Sequence, residues 1–215
     1  GFAAAAVAVV GYAAGFSMLA RLGLDLDRTP TVAFLVAVAI QLVSVLLHES
    51  LHGIVAGLNG HPIRGLGVAL VFWVAPVAYV DRTDSYRVRS RAGRVAIATA
   101  GMVSDGWVCG LTAIAAIHED GLWGQVTWFL LTFQLIMLLA NLNPLMPSDT
   151  VAAVEAATGL IDVRGRALEY VRHRLLRREL PLHLQRVSRR ARAGYLIYGL
   201  ACVAFAGVVL VGFVM

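Results

Sequence analysis

The chain has no lysine and few charged residues of any kind. Only 14% of its 215 residues are charged, all 18 basic residues are arginine, and 59% of the residues are hydrophobic. Soluble domains combine roughly half apolar with about a quarter charged residues, so this composition excludes a soluble enzyme and a disordered chain. We interpret the exclusive use of arginine as base-composition bias in a GC-rich bacterial genome, and we expect no nucleic-acid partner.

Cysteine is equally scarce. Cys109 and Cys202 are the only two, and both fall in apolar stretches. Secreted disulfide scaffolds need a denser set of cysteines, so this class is excluded as well. We interpret both residues as small buried side chains and expect no disulfide.

What the chain has instead is long apolar stretches, each near the roughly 20 residues that a membrane-spanning helix needs. The first has no basic start, which favours a span over a signal peptide. The sequence therefore predicts an all-α polytopic membrane protein with about five transmembrane helices. The stretches are Gly1 to Ala20, Thr29 to Leu47, Val95 to Ile117, Gly121 to Ser148 and Ala193 to Met215.

The arginines are spread unequally over the loops. The loop between the second and third spans holds six arginines and that between the fourth and fifth holds ten, whereas the loop after the third span carries only Glu119 and Asp120 as charges. Positive charge concentrates on the cytoplasmic side of membranes. We therefore expect a protein of the bacterial inner membrane with a cytoplasmic N-terminus and an external C-terminus.

One apolar stretch, Gly65 to Val80, is too short to span. It contains Pro76 and many β-branched and aromatic residues, which indicates a short β-hairpin or a re-entrant element between the second and third spans. Such backbone at membrane depth must be buried in protein or line a wet cavity. We expect it to present substrate in extended form. The alternative is a hairpin that only packs the core.

The segment from Arg164 to Arg192 mixes arginines with leucines. An interfacial helix on anionic lipid has this composition. A solvated cytoplasmic linker helix can have the same composition, so this alternative stays open.

Ionisable groups inside spans are costly, roughly 2.5 to 3.5 kcal/mol each, and those that remain usually serve a site. Three of them form H-E-S-L-H, His48 to His52. On a helix, His48 and His52 lie one turn apart on one face and reach one metal ion, with Glu49 beside it. Asp105 is a further intramembrane carboxylate.

A catalytic zinc site needs a third protein ligand. Asp149 follows the fourth span in N-L-N-P-L-M-P-S-D-T, and Pro144 and Pro147 break the helix so that the chain turns toward the metal. The alternative is a carboxylate that caps an interfacial helix end. Two imidazoles and one carboxylate suit Zn²⁺ better than calcium or magnesium.

H-E-x-x-H on one span, followed about a hundred residues later by N-x-x-P-x-x-P-x-D, resembles the site-2 protease family of intramembrane zinc metalloproteases. Asn141, Pro144 and Asp149 match the second motif, and the resemblance covers Thr31 to Thr150. Val77 to Asp84 resembles a subgroup described as peptide zinc metalloproteases.

The chain departs from the family pattern at four positions. Ala100-Gly101 resembles the start of the family's A-G-P-x-x-N element, but Met102 replaces its proline and Asp105 its asparagine. Ser148 and Thr150 flank Asp149 where the family has Leu-Asp-Gly. The loss of that glycine bears on activity more than on metal binding.

The resemblance implies a membrane-embedded zinc endopeptidase that hydrolyses a transmembrane or membrane-associated peptide. By resemblance, His48, His52 and Asp149 hold Zn²⁺, Glu49 is the general base, and Asn141 binds substrate backbone or the oxyanion. The alternative is a non-proteolytic metal-binding membrane subunit of the same fold, acting in binding or assembly; an ion transporter is a more distant possibility.

This interpretation divides the chain into four parts. Residues 1–30 form the first span and an outer loop, and residues 31–150 form a metalloprotease core of three spans with the hairpin 65–80. Residues 151–194 form the Arg-rich cytoplasmic segment, and residues 195–215 the last span.

Overall fold

The computed structural model describes residues 2–22, 31–71, 75–80, 86–117 and 121–214. Five of the helices in these ranges are long and apolar enough to cross a membrane, namely Phe2–Leu22, Thr31–Leu58, Arg91–Ala115, Gly121–Leu142 and Arg189–Gly212. A helical, polytopic membrane protein is therefore confirmed. In chain order the elements are α1 (Phe2–Leu22), α2 (Thr31–Leu58), β1 (Leu66–Val71), β2 (Ala75–Val80), α3 (Arg91–Ala115), α4 (Gly121–Leu142), α5 (Asp149–Thr158), α6 (Val163–Leu175), α7 (Leu182–Gln185) and α8 (Arg189–Val214).

The C-terminal ends of α2 and α4 differ most from the limits of the apolar stretches. α2 continues to Leu58, beyond the expected end at Leu47, because nothing breaks the helix before the turn at Gly60, whose φ is 80°. The H-E-S-L-H motif therefore lies inside α2. α4 ends at Leu142 and not at Ser148, because the prolines at 144 and 147 cannot continue a helix.

α3 is the central helix of the bundle. Half of its apolar stretch is buried, 50%, against 17% for α1, and it packs against α1, α2, α4 and α5. Glycines let α1 and α3 approach closely: a Cβ atom added to Gly11 would lie 2.0 Å from the carbonyl oxygen of Gly106. Tyr12 of α1 also donates a hydrogen bond to the carbonyl oxygen of Met102, at 2.9 Å.

Two short strands lie between α2 and α3, in the interval where the sequence predicts a hairpin or a re-entrant element. β1 and β2 pair antiparallel, with Leu66 opposite Val80 and Val71 opposite Ala75, and β2 packs along α2. Residues 72–74, which connect them, lie outside the described residues. A short connection, residues 59–65, joins β1 to the helix that carries the histidine pair.

The Arg-rich segment folds as short helices against the last span. α6 packs on α8 so closely that a Cβ atom on Gly199 would lie 2.6 Å from the carbonyl oxygen of Ala167. Leu184 of α7 is fully buried. The segment is therefore an ordered layer beside α8.

Candidate metal centre

The structure brings together the three residues that the sequence predicts as metal ligands. His48 and His52 lie one turn apart on α2, and Asp149 is the first residue of α5. The two Nε2 atoms are 3.2 Å apart, and Asp149 Oδ2 lies 3.0 Å from that of His48 and 3.1 Å from that of His52. His52 is fully buried, and Asp149 is 5% exposed. One carboxylate oxygen and two imidazole nitrogens thus converge at a point that is buried from solvent.

The other nitrogen of each imidazole is fixed by a neighbour on α3. His52 Nδ1 donates to the carbonyl oxygen of Ile97 at 2.6 Å, and His48 Nδ1 lies 2.7 Å from Asp105 Oδ2. Because a carbonyl oxygen only accepts, the proton of His52 lies on Nδ1, and the carboxylate of Asp105 favours the same tautomer for His48. Both Nε2 atoms then direct lone pairs toward Asp149.

When both imidazoles are neutral with the proton on Nδ1, the three converging lone pairs repel one another unless a cation lies among them. In a tetrahedral site with bonds of about 2.0 to 2.1 Å, neighbouring ligand atoms are about 3.3 to 3.4 Å apart. The separations among His48, His52 and Asp149, 3.0 to 3.2 Å, are close to one face of such a tetrahedron. Metal-ligating histidines also usually donate their second N–H to a carboxylate or a carbonyl. The group could therefore hold a metal ion.

The end of α4 and the start of α5 place Asp149. Ser148 caps α5: its hydroxyl accepts a hydrogen bond from the Val151 N–H at 3.4 Å and donates one to the carbonyl oxygen of Asn143 at 3.3 Å. Asp149 is thus the first helical residue, where a carboxylate is favoured. The structure gives Ser148, one of the departures from the family motif, a local role.

Thr150, which follows Asp149, contacts a residue of another helix. Thr150 Oγ1 of α5 lies 3.7 Å from Met102 Sδ of α3. Both residues differ from the pattern of the family that the motifs resemble, which has glycine and proline there. The two side chains therefore face each other where α5 packs on α3.

Gly101 leaves no free space next to His48. A Cβ atom at position 101 would lie 2.3 Å from His48 Nε2 and 2.4 Å from Cε1. The imidazole thus packs directly on the backbone of α3, while Asp105, one turn further along, holds its Nδ1.

The candidate metal-binding group, formed by His48, His52 and Asp149, lies beside a cavity of about 1050 Å³ between α2, α4 and α5, and His48 and Asp149 line this cavity. Glu49 lines this cavity with its Oε1 4.0 Å from His48 Nε2, and Asn141, in the last turn of α4, lines it as well. The remaining walls along α2 and α4 are mainly apolar and include Leu42, Val45, Phe133, Ile136 and Met137. Four of the five site residues named from the sequence, His48, Glu49, Asn141 and Asp149, therefore border one cavity. The fifth, His52, is fully buried and contacts His48 and Asp149.

Sequence reasoning missed the groups that position the histidines. Asp105 stands out as an intramembrane carboxylate, but it lies 57 residues from His48, and no local pattern pairs them. The carbonyl of Ile97 carries no sequence signal at all, since every residue has one.

No protein-family model matches the chain, and neither a curated protein nor a solved structure matches it.

Proposed function

We propose that this protein is a membrane-embedded zinc endopeptidase that hydrolyses a peptide bond in a transmembrane or membrane-associated peptide. The observation that carries the proposal is the convergence of His48, His52 and Asp149, with Glu49 beside them in the wall of a largely apolar cavity. The resemblance of the two motifs to the site-2 protease family supports the same activity.

The donor set favours zinc. Imidazole nitrogens are borderline ligands, and a set of two imidazoles and one carboxylate suits Zn²⁺, whereas Ca²⁺ and Mg²⁺ prefer sites built of oxygens alone. Three protein ligands leave the fourth tetrahedral position open, which is the arrangement of catalytic zinc sites.

Each residue has a chemical role in the proposed reaction. Bound Zn²⁺ supplies Lewis acidity, which polarises the scissile carbonyl and lowers the pKa of a water ligand toward about 7. Glu49 takes a proton from the attacking water and gives it to the leaving amine. The side-chain amide of Asn141 donates a hydrogen bond to substrate backbone or to the oxyanion.

The cavity supports an apolar substrate. Its walls along α2 and α4 are aliphatic and aromatic, whereas the end near Asp149 is polar. A scissile bond must leave its helix to reach the site, because helical hydrogen bonds and side chains hide it. We propose that the free edge of β1, a strand with no third partner among the described residues, holds this extended segment by β-strand addition.

We further propose a bacterial inner-membrane location with a cytoplasmic N-terminus. His48 lies in the second half of α2 and Asp149 follows α4, so the site would then be near the cytoplasmic side, where both Arg-rich loops also lie.

The variant Glu49→Gln tests the proposal. The amide keeps the shape of the side chain but cannot carry the proton, so cleavage of co-expressed membrane peptides should fall by at least about a hundredfold. Elemental analysis should still find about one zinc per chain. His48→Ala and Asp149→Ala are the matched ligand variants and should lose zinc as well as activity.

Turnover retained by Glu49→Gln would exclude the general-base role. Wild-type protein that holds zinc but cleaves no peptide would favour the non-proteolytic metal-binding subunit.

A further inference from the structure

Seven exposed arginines form a surface around the turn between α6 and α7 and the start of α8. We call it the arginine face. Three exposed leucines lie among them: Leu175 is 70% exposed, Leu176 54% and Leu182 69%. The arginines are Arg172, Arg174, Arg177, Arg178, Arg186, Arg189 and Arg190.

The charge of the arginine face is not neutralised within the described part of the chain. Of its two neighbouring glutamates, Glu169 pairs with His183 at 3.0 Å, and Glu179 forms no ion pair with an arginine there. Arg174 stacks on the ring of Tyr170. The guanidinium groups are therefore available to an anionic partner.

The arginine face is also preorganised. Its turn is closed by a hydrogen bond from His173 Nδ1 to the carbonyl oxygen of Glu179 at 2.6 Å, and Arg177 takes a left-handed conformation with φ 52°. The side chain of Leu184 is fully buried and so anchors α7 to the rest of the protein. A flexible solvated linker would have neither a buried anchor nor a closed turn.

The packing of α6 places this surface at a membrane boundary. α6 contacts α8 at Gly199, through Ala167 and Val171. Gly199 lies within the apolar part of α8, about ten residues or about 15 Å beyond its first residue. A helix that carries arginines and touches the apolar part of a span is typical of helices that lie along the interface, where long basic side chains reach the headgroups.

We propose that the arginine face binds the phosphate groups of anionic phospholipids in the leaflet at which α8 begins. Guanidinium groups pair with phosphate oxygens in bidentate geometry, and the exposed leucines enter the boundary between headgroups and acyl chains. This surface is separate from the metal-binding group, and the inference does not depend on proteolysis.

The test measures phospholipid binding to the full chain in detergent micelles by native mass spectrometry. Phosphatidylglycerol and phosphatidylcholine with identical acyl chains are added in parallel. The wild-type chain should prefer phosphatidylglycerol at least about tenfold, since each arginine near the surface contributes about fivefold. High salt should reduce the preference without any mutation.

Two variants of the same four arginines form a matched pair. In R172Q/R174Q/R177Q/R178Q the preference for phosphatidylglycerol should be lost, whereas the four lysine replacements keep the charge and should retain most of it. Size-exclusion chromatography and circular dichroism check that both variants fold.

Equal binding of the two lipids by the wild-type chain would overturn the proposal, as would a preference unchanged in the glutamine variant or in high salt. Preferential binding of an acidic oligonucleotide over phosphatidylglycerol would also overturn it, because it would assign the surface to another class of partner.

Discussion

His48 is held on two sides by α3. Asp105 Oδ2 lies 2.7 Å from its Nδ1, and the backbone at Gly101 lies against its ring. Hydrogen bonds of this kind fix the tautomer and orientation of a metal-ligating histidine and raise its basicity. α3 therefore contributes to the metal site without supplying a ligand.

Asp105→Asn tests the contribution of the carboxylate. Asparagine can accept the same hydrogen bond but is neutral, so zinc affinity should fall about 10- to 100-fold. Competition with a chromogenic chelator measures it. Asp162→Asn is the matched control, because Asp162 borders the same cavity but accepts from the Gly165 N–H. Equal affinity in wild type and Asp105→Asn would show that the charge has no role.

Gly101→Ala tests the packing of the imidazole. The added Cβ atom would lie 2.3 Å from His48 Nε2, so the ring must move away from Asp149 and zinc affinity should fall. Gly57→Ala is the control on α2, because no atom lies within 4 Å of a Cβ atom there. Its zinc affinity should equal that of wild type. An unchanged affinity in Gly101→Ala would mean that the site adapts without loss.

The three candidate ligands were predictable from the sequence, but the groups on α3 that position the histidines were not. The i, i+4 spacing of His48 and His52 follows from helix geometry, and Asp149 stands out beside two prolines. The contact between Asp105 and His48 depends on how α2 and α3 cross, which no local pattern determines.

The helix ends, too, were only partly predictable from the sequence. The prolines at 144 and 147 indicate a break, but the uncharged stretch continues to Ser148 and suggests a longer α4. Only the structure shows that Ser148 caps a new helix and so aims Asp149 at the histidines. The motif departure at this position is therefore compatible with metal binding.

The two strands allow a test of substrate presentation. Each proline introduced between Val68 and Val71 of β1 removes one backbone N–H, and in a strand alternate N–H groups point to opposite sides. If β1 holds substrate along its free edge, cleavage should be lost at alternate positions. Only those proline variants that keep zinc and remain monodisperse are compared with the wild-type protein. If every proline variant keeps its cleavage activity, the strands do not hold substrate and only pack against the bundle.

The bundle brings together groups that are far apart in the chain. α3 lies between α1 and α2, and its contact with α5 holds Asp149 against a helix that precedes it by about a hundred residues. Apolar composition predicted the five helices because lipid demands it. It could not predict the order of packing, which depends on close approaches such as that of Gly11 to Gly106.

We propose an orientation of the bundle from its arginines, and it is open to a direct test. Two spans separate the loops with six and ten arginines, so both loops should lie on one side of the membrane and the loop with Glu119 and Asp120 on the other. Positive charge is disfavoured on the translocated side, so the basic loops should be cytoplasmic. A chain with Cys109 and Cys202 replaced by alanine provides the background for single reporters.

In that background, Asp120→Cys should react with a membrane-impermeant maleimide in intact cells. Gln185→Cys, an exposed position on α7, should react only after the membrane is permeabilised. Both variants should keep zinc, which shows that the bundle is intact. The reverse pattern would place the metal site near the external side, and with it the arginine face. Because both reporters share one background, a difference between them reflects the side of the membrane and not the fold.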